Sequence, residues 1–171
     1  MLVCKTYIKK TNKLISNLDF INSHHKDYFF EVSNINYNFK DKINGDYIEG
    51  AIYLKYYDKV ILDFKLWDYV DELWSYIIIS IERFLKEGYS EILFPDQPTK
   101  ITFSKISSQY LIMILESNSK HTYTLPINEL FSELLSASEL FFENIHHYVT
   151  FLNNNYSNEL IKISCLKKLI H

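Results

Sequence analysis

Few residues in this chain have the types and spacing that chemistry requires. Histidine occurs as two adjacent pairs, His24-His25 and His146-His147, with His121 and His171 alone. Neighbours on a helix point about 100° apart, so adjacent imidazoles do not grip one metal ion as an i, i+4 pair does. Cys4 and Cys165 are too few for a disulfide scaffold or a cysteine metal cluster. Gly45, Gly50 and Gly88 are the only glycines, and no GxGxxG, Walker A or GxSxG pattern occurs. The residues therefore predict no catalytic centre, no metal ion and no cofactor.

What remains is charge. From His121 to Ile161 there is no lysine or arginine, while Glu129, Glu133, Glu139 and Glu143 all fall there. At about 100° per residue these four share one sector of a helix. Glu129/Glu133 and Glu139/Glu143 are like-charge i, i+4 pairs, which cost an isolated helix a few tenths of a kcal/mol. A basic partner would explain them, and so would a solvated acidic face. Asp71, Glu72 and Ile79 mark a second candidate surface. Ile79 falls in the polar sector of its helix, so either another element covers it or a partner does.

These residues need elements to position them. Val70, Leu73, Trp74, Ile77, Ile78, Ile81, Phe84 and Leu85 recur at helical spacing, predicting a helix that follows an N-cap at Asp68 and ends at Gly88. A second stripe, from Ile127 through Leu130, Phe131, Leu134, Phe141 and Ile145 to Tyr148, predicts a helix with Pro126 in its first turn. A short helix opening at Ser157 follows. Alternation from Tyr28, the turn pair Asn44-Gly45, and further alternation over 48–56 and 60–64 predict a three-stranded antiparallel meander. Strands are also expected at 92–94, 101–103, 110–115 and 122–125, with 110–115 covered on both faces. Cys4, Tyr7, Ile8, Leu14, Ile15, Leu18 and Ile21 fit a helical stripe, although their β-branched and Asn-rich setting argues against a helix. The expected fold is a single α+β domain over 1–171. It has an antiparallel sheet of about six strands packed on two main helices, with an N-terminal and a short C-terminal helix.

Composition agrees with a globular chain. Of 171 residues, 47% are hydrophobic and 23% charged, and the net charge of −3 draws it to neither nucleic acid nor membrane. Polar residues interrupt every apolar run before signal-peptide or membrane-spanning length, which predicts a cytoplasmic protein with reduced thiols.

Leu66-Trp67-Asp68, Leu73-Trp74 and Phe94-Pro95-Asp96-Gln97-Pro98, with Gly50-Ala51-Ile52, Leu125-Pro126 and Phe141-Phe142, form a layout that resembles small bacterial immunity proteins. Those proteins accompany polymorphic or contact-dependent growth-inhibition toxins. The resemblance spans roughly 47–145. It implies a non-enzymatic inhibitor that binds the C-terminal domain of a cognate toxin stoichiometrically. It also gives the acidic face a target, because a nuclease toxin has a basic groove. Two other readings stand beside it. One is a homodimeric adaptor burying Ile79 and exposed tyrosines. The other is a small enzyme with a pocket between sheet and helices.

Overall fold

The computed structural model describes residues 1–34, 47–149 and 156–170. The expected strand around Ile35, Tyr37 and Phe39 and the Asn44-Gly45 turn lie outside them.

The first strand is where the helical stripe was expected. β1 spans Leu2–Lys9 with strictly alternating burial, Leu2, Cys4, Thr6 and Ile8 inward. The period-two pattern and the β-branched Val3, Thr6 and Ile8 override the helical spacing, which needed residues beyond the strand to complete it. A short helix α1 (His25–Tyr28) leads into β2 (Phe29–Glu31). Then come β3 (Glu49–Tyr56), β4 (Lys59–Leu62) and the two-residue β5 (Asp68–Tyr69), with a 3-10 turn at Phe64–Leu66. The β3–β4 hairpin is as the alternation predicts, but β2 pairs with β1 and not with β3. The resulting antiparallel sheet has the order β2-β1-β3-β4, and β5 joins the start of β3.

Helix α2 (Val70–Glu87) buries Val70, Leu73, Trp74, Ile77, Ile78, Ile81 and Phe84, the stripe read from the sequence. Gly88 ends it in the left-handed region at φ 73°, where only glycine rests without strain. The start differs from expectation: Tyr69 is the N-cap residue, and Asp68 belongs to β5.

The strands β6 (Tyr89–Leu93), β7 (Lys100–Lys105), β8 (Tyr110–Glu116) and β9 (Lys120–Pro126) form a second antiparallel sheet in sequence order. The described residues thus hold nine strands in two sheets, rather than about six in one. β8 alternates: Leu111, Met113 and Leu115 are buried while Ile112 and Ile114 are half-buried, so one face is covered, not two. Pro126 closes β9 opposite Tyr110, and α3 begins one residue later, spanning Ile127–Val149. Last is α4, Ser157–Ile170.

One continuous apolar core joins α2, α3 and α4 to the inner faces of both sheets. Trp74 anchors it, fully buried, its indole N–H donating to Thr6 Oγ1 of β1 at 3.1 Å. A smaller cluster of Ile21, Phe29, Ala51 and Phe64 covers part of the outer face of the five-stranded sheet. Among the described residues no helix is long and apolar enough to cross a membrane.

Candidate functional site

The acidic face of α3 is divided among the molecule's own elements. β2 pairs only with the far end of β1, at Tyr7, Ile8 and Lys9. That leaves the backbone N–H groups nearer the N-terminus without a strand on this side. The Leu2 N–H donates to Glu129 Oε1 at 2.8 Å, and the Cys4 N–H donates to Glu133 Oε1 at 3.0 Å. The spacing explains itself. Four helical residues rise about 6 Å, and two strand residues rise about 6.6 Å. An i, i+4 pair on a helix therefore matches the i, i+2 amides of a strand lying alongside. The like-charge pair stands in for a missing strand at an open sheet edge.

Glu139 turns elsewhere and pairs with Lys167 of α4. Glu143 is exposed. The expectation of a free four-carboxylate surface is therefore corrected: Glu129, Glu133 and Glu139 have partners within the chain.

Asp71 is also corrected as a surface residue. It is 5% exposed, accepts from the Ile48 N–H at 3.2 Å and from the Tyr156 hydroxyl at 3.0 Å, and so ties α2 to the chain before β3 and to the start of α4. Burial raises its pKa, and these hydrogen bonds offset part of the shift. Glu72 stays half-exposed and accepts from the Tyr76 hydroxyl at 3.1 Å. Ile79 is 52% exposed, so no other described element covers it.

Asp68 brings together two of the motifs that carry the resemblance. Its buried carboxylate accepts from the N–H groups of Tyr69, Asp96 and Gln97 at 2.6 to 3.2 Å. The Gln97 carboxamide returns a hydrogen bond to the Trp67 carbonyl. The Trp67-Asp68 and Pro95–Pro98 segments thus form a mutual clamp between the two sheets.

Sequence reading missed a surface on α4. Ile161, Cys165 and Leu169 recur at i, i+4, i+8 and all point to solvent, Ile161 at 63% and Leu169 at 71% exposure. Beside them, with Leu85 of α2, lies a groove of about 520 Å³. Glu82 on its rim receives both Lys86, at 2.7 Å, and Lys162, at 2.9 Å, and these ammonium groups hold its carboxyl down at about 2. The signal was present as the exposed side of a helix with almost no one-sided hydrophobicity. Only the placement of α4 against α2 and α3 shows which apolar residues are left over.

The thiols differ. Cys4 is buried, and burial with Glu133 beside it pushes its pKa far up. Cys165 is exposed in the groove. Among the described residues no group of three or more His, Cys, Asp or Glu is placed to hold a metal ion. No protein-family model, curated protein sequence or solved structure matches this chain.

Proposed function

We propose that this chain is a non-enzymatic binding protein: an immunity protein that neutralises a cognate bacterial toxin domain by stoichiometric occlusion. The observation that carries the reading is the exposed apolar strip on α4, Ile161, Cys165 and Leu169, with Ile79 one turn before the Glu82 rim on α2. Apolar residues grouped on one face and rimmed by charge are the mark of a protein contact. The face differs from the one the acidic residues suggested. Its centre is apolar and its rim carries Lys86 and Lys162 with Glu82 held between them, so it suits a partner offering an apolar anchor with an acidic group beside it. On α2, Tyr76 and Ile79 are also exposed, and Glu72 is half-exposed beside Tyr76. The resemblance supplies the partner class, and the contact supplies the mechanism: a toxin domain covered by a bound protein cannot reach its substrate.

A homodimeric adaptor is the competing use of the same face. A two-fold axis through Cys165 would set Ile161 opposite Leu169 of the second copy, an apolar contact, and Lys162 opposite its Lys168, a like-charge one. The test is co-purification and calorimetric titration with the C-terminal domain of the toxin encoded beside this gene. A 1:1 complex that Ile161→Glu weakens at least tenfold, and Glu143→Lys does not, supports the reading. No complex, or a chain that is itself a dimer broken by Ile161→Glu, overturns it.

A further inference from the structure

The outer face of the five-stranded sheet, away from α2 and α4, carries a cavity of about 420 Å³. Its floor follows from strand alternation. Lys5 and Tyr7 of β1 and Tyr53 of β3 point away from the core, and Lys5 and Tyr53 are paired across the ladder. Its walls are His25 and Phe64, whose rings stack at 4.4 Å and 12°. The Tyr7 ring meets Phe64 edge-on at 4.8 Å.

The walls are fixed in place. The Asn22 carboxamide donates to Asp63 Oδ2 at 2.7 Å and accepts from the Phe64 N–H at 3.1 Å, pinning the 10–28 segment to the turn after β4. His25 Nδ1 lies 3.0 Å from the Asn22 carbonyl. A carbonyl only accepts, so in the neutral ring Nδ1 carries the proton and Nε2 is left as a bare acceptor. Nε2 and the Tyr53 hydroxyl have no hydrogen-bond partner among the described residues.

The lining carries one residue of each sign, Lys5 and Asp63. Lys5 Nζ sits 3.0 Å from Glu31, and the Asp63 carboxylate takes two N–H groups, from Lys65 and Asn22. The Tyr7 hydroxyl also faces Glu31, and burial pushes its pKa up to about 12, so it stays protonated. A free cation would meet Lys5 and a free anion Asp63, so neither sign is favoured.

We propose that this cavity binds a small, neutral, flat heteroaromatic molecule of the nucleobase type. The volume lies within the range of about 300–1,000 Å³ typical of small-ligand sites, mostly apolar with a few polar groups converging. Aromatic side chains give a flat ring a stacking surface. Lys5 Nζ has donors to spare for a ring or exocyclic acceptor, and His25 Nε2 accepts from a ring N–H or amino group. That donor-and-acceptor edge distinguishes a nucleobase from a plain hydrocarbon ring. The site shares no lining residue with the α2–α4 groove, so it stands or falls apart from the proposed function.

The test is titration of the full chain with adenosine, followed by amide NMR shifts, with sucrose as a comparably sized molecule lacking a flat ring. The expected result is saturable 1:1 binding with shifts at Lys5, Tyr7, Asn22, His25 and Tyr53, and none with sucrose. Tyr53→Ala and His25→Phe should each weaken it about tenfold, the second keeping the stack while removing the acceptor. Val60→Trp, which fills the cavity from an exposed position, should abolish binding even if Tyr53→Ala fails to fold. The proposal is overturned by the absence of saturable shifts at about 1 mM adenosine, the weak end of specific affinity. Equal response to sucrose, or binding that survives Val60→Trp, also overturns it.

Discussion

If Glu133 replaces a strand at the β1 edge, removing its carboxylate must cost the native state. Glu133→Ala leaves the Cys4 N–H without its acceptor. A hydrogen bond to a charged group contributes about 1.5–3 kcal/mol net. Two corrections lower this. Glu133 is partly exposed, so water recovers some of the bond, and losing one member of a like-charge i, i+4 pair returns a few tenths of a kcal/mol. The net expectation is a loss of ~1–2 kcal/mol, or a Tm lower by ~2–8 °C for a chain of this length. Glu133→Gln keeps an oxygen acceptor and should lose about half as much. Glu143→Ala removes an exposed carboxylate from the same helix and should fall within ±0.5 kcal/mol, roughly the range for surface changes. Both alanine variants share the helix-propensity gain, so their difference isolates the edge contact. Urea unfolding followed by tryptophan fluorescence reads it, since Trp74 is buried in the native state. If Glu133→Ala is no less stable than Glu143→Ala, the strand-replacement account is wrong, and α3 regains its standing as an acidic docking face.

Three further outcomes follow from the same contacts. Burial raises the Asp71 pKa above its ordinary 3.8, so the native state holds that proton more tightly than the unfolded chain. Its contribution is full below 3.8 and drains as pH rises through the folded value; Asp71→Asn should flatten urea midpoints across that window, and an unchanged slope refutes it. A methyl at Gly50 would lie 2.3 Å from the Tyr7 carbonyl and 2.8 Å from Val70 Cγ1, so Gly50→Ala should lower stability by about 1–3 kcal/mol or more in thermal melts. A disulfide reagent should modify Cys165 in the folded protein and Cys4 only after unfolding; mass spectrometry showing equal early modification would contradict the burial of Cys4.

The helices were legible because their signals are local. In α2 the apolar stripe, the acidic first turn and Gly88 all agree, and the stripe is the buried face. The N-terminal segment was not, because Cys4 and Ile8 satisfy both periods; only pairing with β3 across seven registered residues decides for the strand. Asp68 shows a different limit. Before a helix it reads as a cap, yet its carboxylate serves Asp96 and Gln97, and no pattern in sequence announces a partner that far along the chain. The acidic pairs were read as a cost to helix stability. Their use was missed because it depends on which strand α3 lies beside, and β1 itself was misread.

Asp71, Glu129 and Glu133 read from the sequence as partner-binding residues but have structural work in the fold, so their substitution confounds binding with unfolding. Ile161 and Leu169 are the reverse case: more than half exposed, with nothing in the described fold requiring them to be apolar. Ile161→Glu and Leu169→Glu should therefore change unfolding free energy by no more than about 0.5 kcal/mol, as surface substitutions do. Glutamate at 169 meets the negative end of the α4 dipole, so that variant should be the less stable of the two by a few tenths of a kcal/mol. Stability and partner affinity can then be measured as separate quantities on one pair of proteins. A loss above about 2 kcal/mol would mean that the chain itself buries these side chains, and the proposed docking face would lose its apolar centre.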